Sequence, residues 1–226
     1  MKDNLWPLTA IEEFTLLGKP LARMPQYPWE LLAMLDEALA QLPEDQHIAE
    51  SAEVAKSAIL RGAVIIGENA VIKEGAIIEG PAYIGPGTVV GQHNVLRGPF
   101  VLEGDNLSGA LFELKHSVVQ AGTHFHSGYV GDSVIGRNCR FGVGVVVANR
   151  RIDRANVHVR VGEEKMDSGI SSLGLIAGDN VRAGINVGTM PGVMLGNGAV
   201  VGPGTMVFAN VPNGSTIAVR QDQQRT

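Results

Sequence analysis

Aliphatic residues recur every six positions over most of this chain. Steps of six from Ile48 meet an aliphatic side chain at every position except Ser108: Ile48, Val54, Leu60, Ile66, Ile72, Ile78, Ile84, Val90, Leu96, Leu102, Ser108 and Leu114. The fifth position of the same frame is mostly Ala, Val or Thr, as at Ala52 and Val64. This period matches neither the roughly two-residue period of a strand nor the roughly 3.6-residue period of a helix, and it indicates a structural repeat.

A repeat of six residues predicts a triangular parallel β-helix. Each hexad supplies one side of a coil, and the aliphatic first positions fill the interior. Three hexads complete a coil, so residues eighteen apart are expected to stack on the same face at about 4.8 Å, the distance between hydrogen-bonded strands. Sequence separation can therefore be converted into position on the prism.

The frame is interrupted twice. It slips near residues 119–128 and resumes at Tyr129, then breaks from Ala148 to Ile176 and returns at Ala177. Within the longer gap, the alternation of Val157, Val159 and Val161 predicts a short hairpin that leaves the prism. Such excursions tend to carry function.

The segments outside the repeats follow other patterns. We predict a helical cap at residues 1–47, a β-helix at 48–212 with an excursion at 148–176, and a polar tail at 213–226. In the cap, Thr9 and Glu12 fit a capping box, and Pro28 can begin a helix with an apolar stripe of Leu31, Leu35, Leu39 and Leu42. Two helices are expected to cover the open edge of the first coil.

Composition supports repetitive β-structure and excludes several functions. Glycine is frequent, at 29 of 226 residues, and aromatic residues make up 5%. A net charge of -5 without a basic run argues against nucleic acid, and no apolar stretch is long enough to span a membrane. We expect a soluble, cytoplasmic protein. The one cysteine, Cys139, falls at an inward position and is expected to be a core residue.

Several longer stretches resemble one family. The hexads, FELKHSVVQAGTHFHSGYVGDSVIG, VVVANRRID and AGDNVRAGINVGTMPGVMLGNGAVVGPGTMV resemble the acetyltransferase domain of bifunctional sugar-1-phosphate nucleotidylyltransferases, and more narrowly archaeal-type glucosamine-1-phosphate N-acetyltransferases. The resemblance covers residues 48 to about 220. It implies a left-handed β-helix, a homotrimer, acetyl-CoA as co-substrate in a groove between prisms, and a role in UDP-GlcNAc biosynthesis. The 47 preceding residues are too few for a nucleotidylyltransferase domain, so that activity is not expected.

The resemblance also assigns roles to single residues. It implies that His126 is the general base, since an imidazole titrates close to neutrality. It places Glu113 near this base and Asn149 near the acceptor amine. It further implies substrate contacts by Tyr129, and coenzyme A contacts by Arg220, Gly184 and Gly202; for each side chain a purely structural role is the alternative.

Arg97 and Lys115 are eighteen residues apart and are therefore predicted to stack on neighbouring coils. Two stacked cations repel each other unless an anion lies between them, and a sugar phosphate meets that requirement. The family has an Arg and a Lys for its phosphosugar at the matching positions. The alternative is two solvated side chains.

The chain departs from the family at four positions. Arg140 replaces an Asn, Val143 replaces the Ala of a Gly-Ala-Gly, and two loop lysines are replaced by Ala155 and His158. These changes are compatible with another amino sugar, a hydroxyl acceptor or a site without catalytic activity.

Three functions remain open. The first is direct acetyl transfer to an amino-sugar 1-phosphate with no metal. The second is a zinc enzyme using His93, His116, His124 and His126, which the unsuitable spacing of these residues disfavours. The third is a non-catalytic trimeric module that binds a sugar nucleotide or a partner protein.

Overall fold

The backbone of this protein winds through many short, nearly identical strands. The computed structural model describes residues 14–21 and 25–221. One helix lies in this part of the chain, α1 Glu30–Leu39. The strands are β1 Thr15–Leu16, β2 Lys19–Pro20, β3 His47–Ile48, β4 Glu53–Val54, β5 Ile59–Arg61, β6 Val64–Ile66, β7 Val71–Ile72, β8 Ile77–Glu79, β9 Ala82–Ile84, β10 Val89–Val90, β11 Val95–Arg97, β12 Phe100–Leu102, β13 Leu107–Ser108, β14 Phe112–Lys115, β15 Val118–Val119, β16 His124–Phe125, β17 Gly128–Gly131, β18 Val134–Ile135, β19 Arg140–Phe141, β20 Val145–Val147, β21 His158–Val161, β22 Glu164–Asp167, β23 Ile176–Ala177, β24 Arg182–Ala183, β25 Gly188–Thr189, β26 Met194–Leu195, β27 Val200–Val201, β28 Met206–Val207 and β29 Thr216–Ile217.

These strands form three parallel sheets, which are the three faces of a β-solenoid of about ten turns. The first face contains β3, β6, β9, β12, β15, β18, β23 and β26. The second face contains β4, β7, β10, β13, β16, β19, β24, β27 and β29. The third face contains β5, β8, β11, β14, β17, β20, β25 and β28. The parallel β-helix predicted from the period of six is confirmed.

The aliphatic first positions of the hexads form the interior. Ile66, Ile72, Ile78 and Ile84 are each at most 1% exposed, and they belong to one continuous core that reaches Val211. Cys139 is also part of this core, where burial raises the pKa of its thiol to about 12. Its expected role as a core residue is confirmed.

The slip in the frame consists of three shortened corners. The inward residues Leu114, Val119, Phe125, Val130 and Ile135 are separated by five, six, five and five residues. The sequence assigned the resumed frame to Tyr129, and this was wrong: Val130 is inward and fully buried, whereas Tyr129 lies outward between Glu113 and Val146. The reason is that each omitted corner residue shifts the alternation between inward and outward positions.

The helix α1 lies on a side of the prism and does not cover its first coil. Its buried residues Leu31, Leu32, Leu35 and Leu39 pack in a cluster with Val101, Val118 and Val134, which point outward from the first face. For α1, the expected position over the first coil was therefore wrong, and Ile48 in that coil is 44% exposed. The apolar stripe of α1 is removed from water by contact with the outward aliphatic residues of the first face. Thr9 and Glu12 lie outside the described residues.

The excursion contains the predicted hairpin, in which β21 pairs antiparallel with β22. The hairpin does not extend freely into solvent. Val157, Val159 and Val161 are buried in the same cluster as α1, so the hairpin folds back over the first face. No helix in the part of the chain that the structure describes is long and apolar enough to cross a membrane.

Candidate active site

His126 lies at the corner between the second and third faces, in a column of residues that each follow a strand of the second face. Glycines occupy the column on either side of His126, at Gly91, Gly109, Gly142, Gly184 and Gly202, and Ala55, Lys73 and Ala218 occupy its two ends. The His126 amide donates to the Phe141 carbonyl oxygen at 3.0 Å, which fixes the backbone in the solenoid ladder. Its imidazole is exposed, and the neighbouring glycines leave the space around the ring open.

Aromatic rings fill the inside of the same corner. Phe112, Phe125 and Phe141 stack in the interior with ring centroids 4.7 and 5.0 Å apart. Phe125 directly precedes His126, so this stack supports the corner from within. The three successive rings hold the backbone from which the His126 side chain extends.

Gly184 and Gly202 are in register with His126, but their amides are already used. The Gly184 amide donates to Val201 and the Gly202 amide donates to Ile217, both at 2.8 Å. A Cβ at Gly184 would lie 2.8 Å from the Pro203 nitrogen, so this corner requires glycine. Any contact with a cofactor here would use the glycine surface, not its N–H. Arg220 is exposed, beyond β29.

Arg97 and Lys115 stack in register on β11 and β14, as the eighteen-residue spacing predicts. Each of them has a carboxylate partner within the chain. Arg97 forms an ion pair with Glu113, and Lys115 Nζ lies 3.2 Å from Asp132 Oδ2. The anion that these cations require is therefore supplied by two side chains of the protein, and Glu113 bonds to Arg97 rather than to His126.

Asn149 connects the end of β20 to the preceding coils. Its Nδ2 donates to Tyr129 Oη at 3.1 Å and also to Asp132 Oδ2. Burial raises the pKa of the Tyr129 phenol, and the Asp132 and Glu113 carboxylates raise it further, so Tyr129 stays protonated. Two residues predicted to contact the substrate are thus brought together, although they are twenty positions apart in the sequence.

Asp132 is the centre of this network and was missed by the sequence analysis. Its carboxylate is buried and contacts Lys115, Asn149 and His116, the last at 2.8 Å from Oδ1 to Nδ1. Burial alone would raise its pKa, but the bonds from His116 and Asn149 and the Lys115 charge outweigh that effect and hold the pKa below its usual value. The frame slip was an available signal, because two shortened corners contain His116 and Asp132 and the third contains His126.

His116 links the network to α1. Its Nδ1 faces Asp132, and its Nε2 lies 3.1 Å from Asp36 Oδ1 on the helix. Burial would lower the pKa of His116, but the bond to Asp132 and the Asp36 charge together raise it. An imidazolium can donate to both carboxylates at once, and the neutral ring cannot.

A cleft of about 540 Å³ opens beside this link. It lies between α1 and the end of the excursion and is lined by Trp29, Asp36, His116, Asp132 and the segment 168–172. Asp132 therefore has the cleft on one side and the Tyr129–Asn149 pair on the other.

The departures from the family lie in different places. Arg140 points outward from the second face, next to His124, and Val143 is exposed at the corner after Gly142. Ala155 and His158 are exposed at the start of the hairpin. Ala155 and His158 therefore belong to the excursion, whereas Arg140 and Val143 lie on either side of Gly142 in the corner column.

The histidines do not converge on one point. His116 lies at the corner between the third and first faces, while His124 lies on the second face and His126 at its corner with the third. No group of three His, Cys, Asp or Glu side chains suited to a metal ion occurs among residues 14–21 and 25–221.

Comparison with known proteins identifies relatives of greater length. A bifunctional protein GlmU of Methanocaldococcus jannaschii is 37% identical over 197 residues, which is 87% of this chain and 47% of that protein. A bifunctional sugar-1-phosphate nucleotidylyltransferase/acetyltransferase of Sulfurisphaera tokodaii is 41% identical over 120 residues, 53% of this chain and 30% of that protein. The chain thus spans at most about half the length of these relatives. No family model matches it.

Two solved structures are similar in part. The UDP-N-acetylglucosamine acyltransferase of Francisella novicida is 16% identical with a TM-score of 0.42, and the match covers 79% of this chain and 66% of that one. The polysialic acid O-acetyltransferase OatWY is 17% identical with a TM-score of 0.37, covering 77% and 84%. By sequence, the chain belongs with the hexapeptide-repeat acetyltransferase domain of the bifunctional sugar-1-phosphate nucleotidylyltransferase/acetyltransferase family.

Proposed function

We propose that this protein transfers an acetyl group from acetyl-CoA to the amine of an amino-sugar 1-phosphate resembling glucosamine 1-phosphate. The observation that carries the proposal is the exposed His126, which stands between Gly109 and Gly142 in its corner column, beside the outward row that contains Glu113 and Tyr129. The names of the longer relatives, which include acetyltransferases, support it.

The chemistry is direct transfer. The sugar amine attacks the thioester carbonyl carbon, so a C–N bond forms and the C–S bond breaks. His126 accepts the proton that the amine loses, and coenzyme A leaves as the thiol after taking up a proton. Neither a covalent enzyme intermediate nor a metal takes part.

The Asp132 network positions the side chains that contact the acceptor sugar. Asn149 is fixed by its bonds to Asp132 and Tyr129, so its amide is oriented before substrate arrives. Such preorganisation lowers the cost of placing the amine against the thioester. Tyr129 adds a neutral hydroxyl donor beside the sugar.

Arg97 contacts the sugar phosphate by exchanging its carboxylate partner, and Lys115 contacts it without giving up Asp132. The phosphate replaces Glu113 at Arg97, and the released carboxylate can then turn towards His126 and stabilise the imidazolium that forms. Both members of the Arg97–Glu113 pair are 40% exposed, so the exchange requires little desolvation. Asp132 is buried and keeps its contact with Lys115.

Coenzyme A lies along the glycine corner. Gly184 and Gly202 continue the column of His126 and present a smooth surface without side chains. Arg220 is available for a phosphate of the coenzyme. In this proposal the groove is completed by a neighbouring prism of a homotrimer.

The test is thiol release from acetyl-CoA with a panel of hexosamine 1-phosphates. We expect His126→Ala to lower kcat by about 10²–10⁴-fold, the usual contribution of a general base. His47→Ala, in the exposed first strand of the first face, is the matched control and is expected to retain full activity. Equal turnover by His126→Ala and wild type would remove the assigned base. If the folded protein turns over none of the sugars, the non-catalytic binding module becomes the better explanation.

A further inference from the structure

The outward residues of the second face change character along the prism. They are, in register, Glu53, Val71, Val89, Leu107, His124, Arg140, Arg182, Val200 and Thr216. We call His124, Arg140 and Arg182 the basic column. It occupies three successive coils and lies two residues ahead of His126, Gly142 and Gly184 at the neighbouring corner.

The basic column differs from the Arg97–Lys115 pair in its partners. Arg140 Nη1 donates to the carbonyl oxygens of Gly122 and Cys139 at 2.6 and 2.8 Å. Arg182 Nη1 donates to those of Asn138 and Val181 at 2.5 and 3.1 Å. These bonds fix the two guanidinium groups against the coil, but carbonyl groups do not neutralise them.

No carboxylate within the described residues 14–21 and 25–221 forms an ion pair with Arg140 or Arg182. Glu53 is separated from the basic column by the three aliphatic residues Val71, Val89 and Leu107. Burial lowers the pKa of His124, and the charges of Arg140 and His126 lower it further.

We infer that the basic column binds the diphosphate group of a co-substrate. Arg140 and Arg182 are one coil apart, about 4.8 Å, so their free N–H groups can each meet one of two linked phosphoryl groups. A diphosphate offers one phosphoryl group to each guanidinium, whereas a single phosphate or carboxylate would have to be shared by both. The inference rests on the proposed function, since it names the anion that is held beside the His126 corner.

This assignment gives a reason for Arg140. At the position where the family has a neutral amide, this chain carries a cation. A cation there strengthens the binding of a ligand that places negative charge beside it. Two co-substrates fit the chemistry: the pyrophosphate of coenzyme A, or an amino sugar already linked to a nucleoside diphosphate. The experiment distinguishes these two sources.

The test is direct binding to the full chain at low salt, without turnover. Inorganic pyrophosphate is titrated into wild type, Arg140→Gln, Arg182→Gln and the control Arg160→Gln, whose side chain is exposed on the hairpin. We expect pyrophosphate to bind about tenfold or more weakly to each column variant, the scale of one lost charge-assisted hydrogen bond, and equally to the control and wild type. NMR of His124 provides a second readout, since a bound anion raises the pKa of that ring.

Repeating the titration with coenzyme A and with UDP-glucosamine identifies which co-substrate carries the diphosphate group. If Arg140→Gln weakens the binding of coenzyme A alone, the basic column binds the pyrophosphate of coenzyme A. Weaker binding of the sugar nucleotide alone makes a nucleotide-linked sugar the acceptor. Absence of pyrophosphate binding to wild type, or equal binding by all four proteins, would overturn the inference; so would an effect seen with pyrophosphate but with neither larger ligand.

The anion site and the proposed reaction can be disproved independently of each other. If the column variants lose binding while wild type transfers no acetyl group, the anion site stands and the proposed reaction is wrong. If wild type turns over glucosamine 1-phosphate and binds pyrophosphate no better than Arg140→Gln, the reaction stands and the anion site is wrong.

Discussion

The first and third faces of this prism share the same interior but have opposite exteriors. On the first face the outward residues in register are Val101, Val118, Val134, Ile176 and Met194, all buried beneath α1 and the hairpin. On the third face they include Arg97, Glu113, Lys115 and Tyr129, which are partly exposed. The inward residues therefore determine the solenoid, and the outward residues determine whether a face is covered or available to ligands.

The covered face contributes to stability as a second core. Val118, Val134 and Leu35 of α1 are each fully buried there, outside the prism. The open face contributes a network of charges whose members lie on four different strands or corners. Substitutions on the two faces should consequently affect different properties.

The largest contrast is expected from an identical substitution on the two faces. Val118→Asp places a carboxylate against α1 without a partner and should lower the free energy of unfolding by several kcal/mol, roughly 3–5 for an uncompensated buried charge. Val146→Asp, at an outward position 51% exposed, should change it by less than about 0.5 kcal/mol. Urea denaturation of both variants measures the difference. Similar losses in the two would contradict the distinction between the faces.

The next effect concerns the contact of α1 with the first face. Leu35→Ala removes a fully buried side chain and should cost about 2–4 kcal/mol in the stability of the docked helix. Hydrogen exchange of the α1 amides measures this docking directly. Glu37→Ala, exposed on the same helix, is the control and should leave the exchange rates nearly unchanged. Fast exchange in both variants would mean that α1 does not depend on this apolar contact.

The His116 link should make helix docking depend on pH. The pKa of His116 is raised in the folded protein, so its stabilising contribution is complete below the usual value of 6.5 and is lost as pH rises through the higher folded value. His116→Gln should therefore be less stable than wild type at pH 6, with a smaller deficit at pH 8.5. Thermal unfolding at both values measures this change. A deficit that is constant across the range would show that the ring is uncharged in its contact with Asp36 and Asp132.

The smallest effect on stability is expected at the Arg97–Glu113 pair. Both side chains are 40% exposed, and such pairs contribute about 0.2–1 kcal/mol. Glu113→Gln should therefore unfold almost like wild type but should lower kcat without raising the KM for a sugar phosphate, since its carboxylate has the proposed role of stabilising the His126 imidazolium. A loss above about 2 kcal/mol in urea denaturation would place this pair in the structural core instead.

Sequence reasoning located the repeat, the hairpin and the stacking of Arg97 on Lys115 because each depends on a regular spacing. It did not locate α1 correctly, since an apolar stripe shows that a helix is buried but not against which surface. The outward aliphatic residues Val101, Val118 and Val134 were a signal for that surface, since each stands next to an inward aliphatic residue.

The site could be predicted only in part, for a related reason. His126 and Asn149 were proposed from the resemblance and Lys115 from its spacing as well, but Asp132 was not proposed, because nothing in its neighbours along the chain marks it as a shared partner. Its role comes from three contacts with residues up to seventeen positions away, made across shortened corners whose register the sequence frame did not resolve.

The amino-acid sequence by itself determined the solenoid, because a six-residue period of aliphatic side chains can be buried throughout only if every coil repeats the same triangle. The tertiary structure alone decided which face α1 and the hairpin cover, and which carboxylate each cation meets. Those choices depend on contacts across coils and between separate elements, where burial and charge are balanced in space rather than along the chain.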